Sequence, residues 1–81
     1  MDNKEILDLI NKYIRREKGN IVTPKDKLIN SKLDSLGIAI FFMNLCEDFP
    51  NILQDREFEE FLSHIDINNI DIQSIIDLCK S

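Results

Sequence analysis

Apolar residues recur every three or four positions near the start of the chain, a spacing that predicts one face of an amphipathic helix. Asp2 precedes this face and Glu5 follows three residues later, which is the capping-box pattern of a helix start. Basic residues gather in the last turn, where they suit the helix dipole, and Gly19 can close the helix. The apolar face consists of Ile6, Leu9, Ile10, Tyr13 and Ile14.

The next segment, residues 20–34, has no sustained helical period and contains Pro24. A connection of this length in a small domain is usually functional or disordered. Its apolar residues are spaced along the segment, which predicts a loop that packs onto the rest of the domain. They are Ile21, Val22, Leu28, Ile29 and Leu33.

A second helix is predicted from Asp34 or Ser35 to about Asp48, and either of the first two residues is a natural N-cap. Every residue from 38 to 43 is apolar, so this helix needs neighbours on more than one side. Phe49 is followed by Pro50, and because a residue before proline avoids the helical region, we expect the helix to end there.

Two shorter helices are predicted in the last third of the chain. Residues 55–65 carry an apolar face formed by Phe58, Phe61, Leu62 and Ile65. Asp71 is a natural cap for the last helix. The apolar face of that helix is formed by Ile72, Ile75, Ile76 and Cys79.

The pattern as a whole predicts an all-α fold, because no segment alternates as a strand does. We expect a small four-helix bundle with a long loop between helices 1 and 2 and a short third helix. With 81 residues, a single domain over 1–81 is all that the length allows. The core is expected from the first, second and fourth helices. It comprises Ile6, Leu9, Ile10, Tyr13, Phe42, Leu45, Phe49, Ile72, Ile75 and Ile76.

The composition also predicts where in the cell the protein is found. The net charge is -5, and no apolar run approaches the roughly 20 residues that span a bilayer. The first residues also lack an apolar signal segment. Cys46 and Cys79 form no CxxC or Cys/His pattern, which predicts buried, reduced thiols. We therefore expect a cytoplasmic protein without membrane insertion, most simply a monomer.

Charge is distributed unevenly along the chain. Residues 1–32 hold eight basic and five acidic side chains, a net of +3, whereas residues 33–81 hold two basic and ten acidic ones, a net of -8. The acidic half predicts repulsion of nucleic acid and attraction of a basic protein partner. The alternative is that these acids only keep a small domain soluble.

The residue types that build most active sites are missing. His64 is the only histidine, so any Ser/His or Cys/His pair would have to use it. No ligand spacing fits zinc, and residues 66–71 depart from a calcium loop, with Ile70 at a ligand position and Asp71 at the turn glycine. Two glycines are too few for a phosphate-binding loop. The sequence therefore predicts a protein that is not an enzyme.

The motif that remains is Asp34-Ser35-Leu36-Gly37, at the junction of the long loop and the apolar second helix. It resembles the hallmark of the acyl carrier protein family, the phosphopantetheine-binding carrier domains, in which Asp-Ser-Leu opens the second of four helices. The resemblance extends to residues 71–77 at the start of the last helix. It also covers Asp26, Leu28 and Leu33 in the loop, and Leu45, Glu47, Asp48 and Phe49 at the end of the second helix.

This resemblance implies that Ser35 accepts 4′-phosphopantetheine from coenzyme A through a separate phosphopantetheinyl transferase. It implies a place for Asp34 near the metal of that transferase, and an inward-pointing Leu36 that fixes the helix start. The thiol of the arm, rather than Cys46 or Cys79, would then hold an acyl, aminoacyl or polyketide intermediate as a thioester. Loading enzymes and downstream biosynthetic enzymes are the further partners implied.

The chain departs from the family in two ways. Its second helix carries acids only at its end, and Ile38 and Ile40 stand where polar residues are usual. These isoleucines either form an exposed docking patch or are covered by the loop. The segment between Phe49 and Asp71 is also longer than in compact fatty-acid carriers, which favours a dedicated carrier over the housekeeping one. The predicted partner-binding residues are Gly37, Ile38, Ile40, Met43, Glu47 and Asp48.

A second hypothesis belongs to a different class. The chain is then an unmodified acidic helical module that binds another protein through its apolar second helix. In this hypothesis Ser35 is only the N-cap of that helix.

Overall fold

Three α-helices account for most of the residues that the computed structural model describes, which are 2–50 and 69–80. They are α1 (Asn3–Arg16), α2 (Ser35–Asp48) and α3 (Ile72–Lys80), with a 3₁₀ helix at Leu28–Ser31. Within these ranges there is no β-strand, so the all-α expectation is confirmed there, and α3 is the predicted fourth helix. The predicted third helix at 55–65 and His64 lie outside the described residues.

Helix α1 begins as predicted, and Gly19 closes it as expected. The Asp2 carboxylate accepts a hydrogen bond from the Glu5 amide at 2.8 Å. At the other end, the Gly19 amide donates to the Ile14 carbonyl at 2.9 Å and the Lys18 amide donates to Arg15 at 2.9 Å, which is a Schellman closure. The left-handed residue of this closure is Lys18, with φ 65°, and Gly19 takes part through its amide.

The long loop packs onto α1, as its spaced apolar residues predict. The side-chain amide of Asn11 pairs with the backbone of Val22 in both directions, accepting from its amide at 2.8 Å and donating to its carbonyl at 3.0 Å. Val22 and Leu28 are buried, whereas Ile21 and Ile29 are exposed. Only some of the predicted anchors therefore hold the loop.

The same loop is tied to the start of α3. The Leu28 amide donates to the Ile70 carbonyl at 2.8 Å, and the Ile72 amide donates to the Asp26 carbonyl at 2.9 Å. Together these bonds form a single antiparallel bridge between Lys27 and Asp71. The loop is thus held between two helices, which fixes the backbone that leads into α2.

The core lies between the three helices and the underside of the loop. Eight of the ten predicted core residues are buried, and Leu9 and Phe49 are half-buried at its edge. Helix α2 contributes more than predicted because it is apolar on several sides. The buried apolar residues beyond the predicted ones are Ile14, Val22, Leu28, Ile38, Phe41, Cys46 and Ile70.

One polar contact joins the end of α2 to α1. The Tyr13 hydroxyl donates a hydrogen bond to the Asp48 carboxylate, and the Arg16 guanidinium lies 5.1 Å from the centre of the Tyr13 ring. The hydrogen bond to Asp48 is the main cause that raises the pKa of Tyr13, and burial adds to it. None of the helices described here is long and apolar enough to cross a bilayer.

Candidate functional site

The Asp-Ser-Leu motif forms the first turn of α2, and Asp34 caps it. Asp34 has extended backbone angles, φ -78° and ψ 178°, and its Oδ1 accepts a hydrogen bond from the Gly37 amide at 2.7 Å. Its carbonyl accepts from the Ile38 amide at 2.9 Å. Of the two caps that the sequence left open, the structure therefore has Asp34, and the hypothesis that Ser35 is the N-cap is wrong.

Ser35 is the first helical residue and its side chain is exposed. Its hydroxyl forms no hydrogen bond with any residue in the described part of the chain, because the capping position that would occupy it belongs to Asp34. The amides of Ser35 and Leu36 likewise have no acceptor there, as expected in a first helical turn. The hydroxyl thus lies beside two unpaired N–H groups at the positive end of the helix dipole.

Leu36 does not point into the core. It is 69% exposed, so the expectation that it fixes the start of the helix from inside is wrong. The physical reason is the phase of α2, whose buried face runs through Gly37, Phe41 and Leu45 and leaves Leu36 on the opposite side.

Leu33 takes the inward role instead. A Cβ added to Gly19 would lie 2.7 Å from Leu33 Cδ2, and one added to Gly37 would lie 3.4 Å from the same atom. These distances place Leu33, which is half-buried, between the only two glycines of the chain. Because neither glycine has a side chain, the loop can bring Leu33 close to both the end of α1 and the first turn of α2.

The two isoleucines of α2 have different environments. Ile38 is only 7% exposed and belongs to the core cluster that includes Val22 and Leu28 of the loop. The prediction that Ile38 is exposed in a docking patch is therefore wrong, and the alternative, that Ile38 is covered, is confirmed. Ile40 is half-buried. Gly37, another predicted partner-binding residue, is buried as well.

An apolar surface nevertheless exists on α2, and it includes Leu36, which the sequence analysis expects to point inward. Leu36, Ile40 and Met43 follow helical spacing and form what we call the exposed α2 face. Met43 is 68% exposed, nearly the same as Leu36. The predicted acids Glu47 and Asp48 are exposed at its C-terminal end. Because residues 38–43 are all apolar, the sequence carried no signal for which side of α2 is exposed.

The backbone immediately before the motif is strained. Lys32 has φ 59°, a left-handed conformation that side chains other than glycine rarely adopt. Ser31, next to it, is fully buried, and its hydroxyl donates to the Leu28 carbonyl at 2.6 Å. The 3₁₀ helix, the turn at Lys32 and Leu33 together direct the chain into the cap.

Neither cysteine is a reactive thiol. Both are free; Cys46 is buried and Cys79 is half-buried. Burial raises the pKa of Cys46, and burial together with the neighbouring Cys46 raises the pKa of Cys79 to about 12. Since the thiolate is the nucleophile, the raised pKa values disfavour reaction of either thiol at neutral pH.

The candidate site is defined by these residues alone. No protein-family model, curated protein or solved structure matches the chain. Among residues 2–50 and 69–80, no three His, Cys, Asp or Glu side chains cluster closely enough to hold a metal ion. The distinctive chemical feature of the site is an exposed, unbonded serine hydroxyl at the start of an apolar helix.

Proposed function

We propose that this chain is a discrete carrier protein, modified with 4′-phosphopantetheine on the Ser35 hydroxyl. The observation that carries the proposal is the cap of α2. Asp34 takes the hydrogen bond to the first turn, so Ser35 has no structural duty in the described part of the chain and its hydroxyl remains exposed. A serine placed there only to start a helix would occupy the capping position instead.

The surroundings of Ser35 suit a phosphodiester. The unpaired amides of Ser35 and Leu36 can donate to phosphate oxygens, and the positive end of the α2 dipole favours the negative charge. No side chain in the described ranges is bonded to the hydroxyl, so a bulky group can be attached without displacing a contact. The residues present therefore fit the group that the motif implies.

The attachment reaction needs little from this chain. The Ser35 oxygen forms a bond to the phosphorus next to the pantetheine arm, and the pyrophosphate bond of coenzyme A breaks. The adenosine bisphosphate leaves, and the hydroxyl proton passes to a base on the transferase. This division agrees with the described ranges, in which no base is hydrogen-bonded to Ser35. Asp34, fixed as the cap, is the carboxylate adjacent in sequence to the reacting serine and the candidate for contact with the metal of the transferase.

Cargo would be held by the thiol of the attached arm. The protonated, buried or half-buried thiols of Cys46 and Cys79 are unsuited to thioester exchange. A tethered acyl, aminoacyl or polyketide group is delivered at high effective concentration to successive enzymes. In this function the chain is not itself an enzyme, and its reduced thiols suit a cytoplasmic protein.

The finer architecture belongs to the same proposal. A carrier of this type is a four-helix bundle whose third helix lies between α2 and α3, where the sequence predicts one at 55–65. Enzymes that act on the arm would approach along the exposed α2 face, since it begins beside Ser35. That face is apolar and carries acids only at its end, which favours a dedicated carrier with few partners.

The test is intact-mass analysis before and after incubation with coenzyme A and a broad-specificity phosphopantetheinyl transferase. We expect a gain of one phosphopantetheinyl group, absent in Ser35→Ala. Ser74→Ala is the matched control, because Ser74 is the other exposed serine in the described ranges. Ser74→Ala should be modified as fully as the unaltered chain. No mass gain with several transferases on folded protein contradicts the proposal.

The exposed α2 face also supports a second candidate function, an unmodified module that binds another protein. Exposed residues with helical spacing are typical of helix-mediated recognition. In that function, Ser35→Ala should leave partner binding and biological activity intact, whereas a carrier loses all activity with this change. The same variant therefore separates the two functions.

A further inference from the structure

A basic surface lies in the loop that leads from α1 to α2 and Ser35. It is formed by two segments, residues 18–21 and 29–32, which the Asn20 amide joins by donating to the Ser31 carbonyl at 2.8 Å. Gly19 packs so closely here that an added Cβ would lie 3.0 Å from the same carbonyl. We call these two segments the basic loop surface.

The composition of this surface is distinctive within an acidic chain. Its two charged residues are Lys18 and Lys32, both exposed, and neither segment contains an acid. Neither ammonium group forms a hydrogen bond or salt bridge with residues 2–50 or 69–80. The same two segments carry Ile21, 66% exposed, and Ile29, 54% exposed. The surface therefore combines unpaired positive charge with accessible apolar area.

Both lysines occupy strained backbone positions. Lys18 has φ 65° and Lys32 has φ 59°, and across the described ranges these are the only residues other than glycine with positive φ. Glycine would adopt either conformation at lower cost. The fold holds both backbones in this conformation, Lys18 in the closure of α1 and Lys32 at the end of the 3₁₀ helix, although a lysine is costlier there than a glycine. The two lysines share that property and also share one surface.

We propose that the basic loop surface binds an acidic protein surface, presented by an enzyme that acts on Ser35. The inference rests on the proposed function for its choice of partner. Lys32 is three residues from Ser35, so a protein bound at the hydroxyl comes close to this surface. Charge complementarity then requires acids opposite the lysines and apolar side chains opposite the isoleucines. The acidic half of the chain alone would have indicated only a basic partner.

An anionic membrane fits the basic loop surface less well than an acidic protein does. Electrostatic attachment to lipid usually takes a cluster of roughly four to eight basic residues, and this surface has two. Its two exposed isoleucines also offer little area for insertion. The continuity of the surface with Ser35 favours a protein.

The test is an amide-resolved NMR titration of the full chain with a short peptide of glutamate and leucine. The comparison probes are a peptide with lysine in place of glutamate and vesicles of neutral and anionic phospholipid. We expect the acidic peptide to shift the amides of 18–21 and 29–32, and the shifts to shrink between about 0.05 M and about 0.5 M salt. No binding, or shifts confined to other residues, overturns the proposal, as does binding by the vesicles alone.

Variants separate the surface charge from the fold and from net charge. The double variant Lys18→Gly with Lys32→Gly should bind the acidic peptide roughly threefold to tenfold more weakly. It should also melt roughly 4–8 °C higher, because glycine relieves the strain. The matched control is Lys4→Gln with Lys12→Gln, which removes the same charge from exposed positions on α1. Equal weakening in the control overturns the proposal, because net charge would then explain the binding.

The outcome is distinguishable from that of the proposed function. Modification of Ser35 without peptide binding contradicts the basic loop surface alone. Peptide binding at this surface without modification of Ser35 contradicts the carrier function and leaves the charge complementarity in place.

Discussion

The carboxylate of Asp34 accepts a hydrogen bond from the backbone amide of Gly37 at 2.7 Å, and this bond leaves the Ser35 hydroxyl out of the cap of α2. Because the bond caps α2 one residue before the serine, the Ser35 side chain is released to solvent. A motif that could equally start a helix or carry a modification is thereby divided between two residues. Asp34 caps the helix, and in the proposed function Ser35 carries the modification.

The division of roles predicts a difference in stability between two neighbouring variants. Asp34→Ala should lower the free energy of unfolding by about 0.5–2 kcal/mol, because the first turn loses its cap. Asp34→Asn should keep most of it, since asparagine caps nearly as well. Ser35→Ala should stay within about 0.5 kcal/mol of the unaltered chain. Urea denaturation measures all three, and a Ser35→Ala loss as large as that of Asp34→Ala would return the serine to the capping role.

The two glycines that flank Leu33 are expected to differ in tolerance. Gly19→Ala should cost about 1–3 kcal/mol, because its Cβ would lie 2.7 Å from both Ile14 Cγ2 and Leu33 Cδ2. At Gly37 the closest atom would be Asp34 Oδ1 at 3.1 Å, and alanine regains helix propensity there. Gly37→Ala should therefore cost less than Gly19→Ala. Thermal unfolding followed by circular dichroism tests this order, and the reverse order would contradict the packing of Leu33.

Sequence reasoning succeeded where one side of an element is polar. The spacing of Ile6, Ile10 and Ile14 gave the buried face of α1, and all three are buried. The same reasoning had little to work with in α2, where residues 38–43 are all apolar and the pattern carries no phase. Leu36 and Ile38 are therefore chemically alike in the sequence and opposite in the structure, one 69% and the other 7% exposed.

Long-range contacts account for the remaining differences. Nothing in the spacing of the loop shows that Asn11 pairs with the backbone of Val22, or that Leu28 bonds to Ile70. Likewise, the sequence does not show that Lys18 is the left-handed residue at the end of α1, or that Leu33 packs too closely on Gly19 to leave room for a side chain. Such requirements are set by neighbours distant in sequence.

The contact between Tyr13 and Asp48 predicts a loss of stability at high pH. The hydrogen bond raises the pKa of Tyr13 in the folded state above its ordinary value of 10.0, so folding favours the protonated phenol. This contribution is complete below about pH 10 and is lost as the pH rises through the folded-state pKa. The chain has one tyrosine and no tryptophan, so tyrosinate absorbance reports Tyr13 alone. A folded-state titration midpoint at or below 10 would contradict the contact.

Tyr13→Phe is the control for that pH dependence. It keeps the ring and removes the hydroxyl, so its stability should fall less steeply above pH 10 than that of the unaltered chain. The remaining slope includes the cysteines, whose raised pKa values act in the same direction.

Cys79 is expected to resist alkylation in the folded chain. Its pKa is raised from 9.0 to about 12, which reduces the thiolate fraction at neutral pH by roughly a thousandfold. Iodoacetamide should therefore label Cys79 far more slowly in native protein than in urea, as measured by mass spectrometry of its peptide. Cys46 should be protected as well, since it is buried. Rapid native labelling of either cysteine would contradict its environment and make it a rival site for cargo.

The exposed α2 face makes a prediction that separates packing from recognition. Ile38→Ala should lower the free energy of unfolding by about 2–5 kcal/mol, because it removes a buried side chain. Leu36→Ala and Met43→Ala should each change it by no more than about 0.5 kcal/mol, because both side chains are exposed.

If enzymes approach Ser35 along the exposed α2 face, Leu36→Ala and Met43→Ala should lower kcat/KM for modification of Ser35 by about fivefold or more. This is the effect of losing roughly 1 kcal/mol of contact. Ser74→Ala, exposed on α3, should leave that rate unchanged. Folded Leu36→Ala and Met43→Ala proteins that are modified at the normal rate would mean that the transferase reaches Ser35 from another side, with the basic loop surface as the remaining approach beside it.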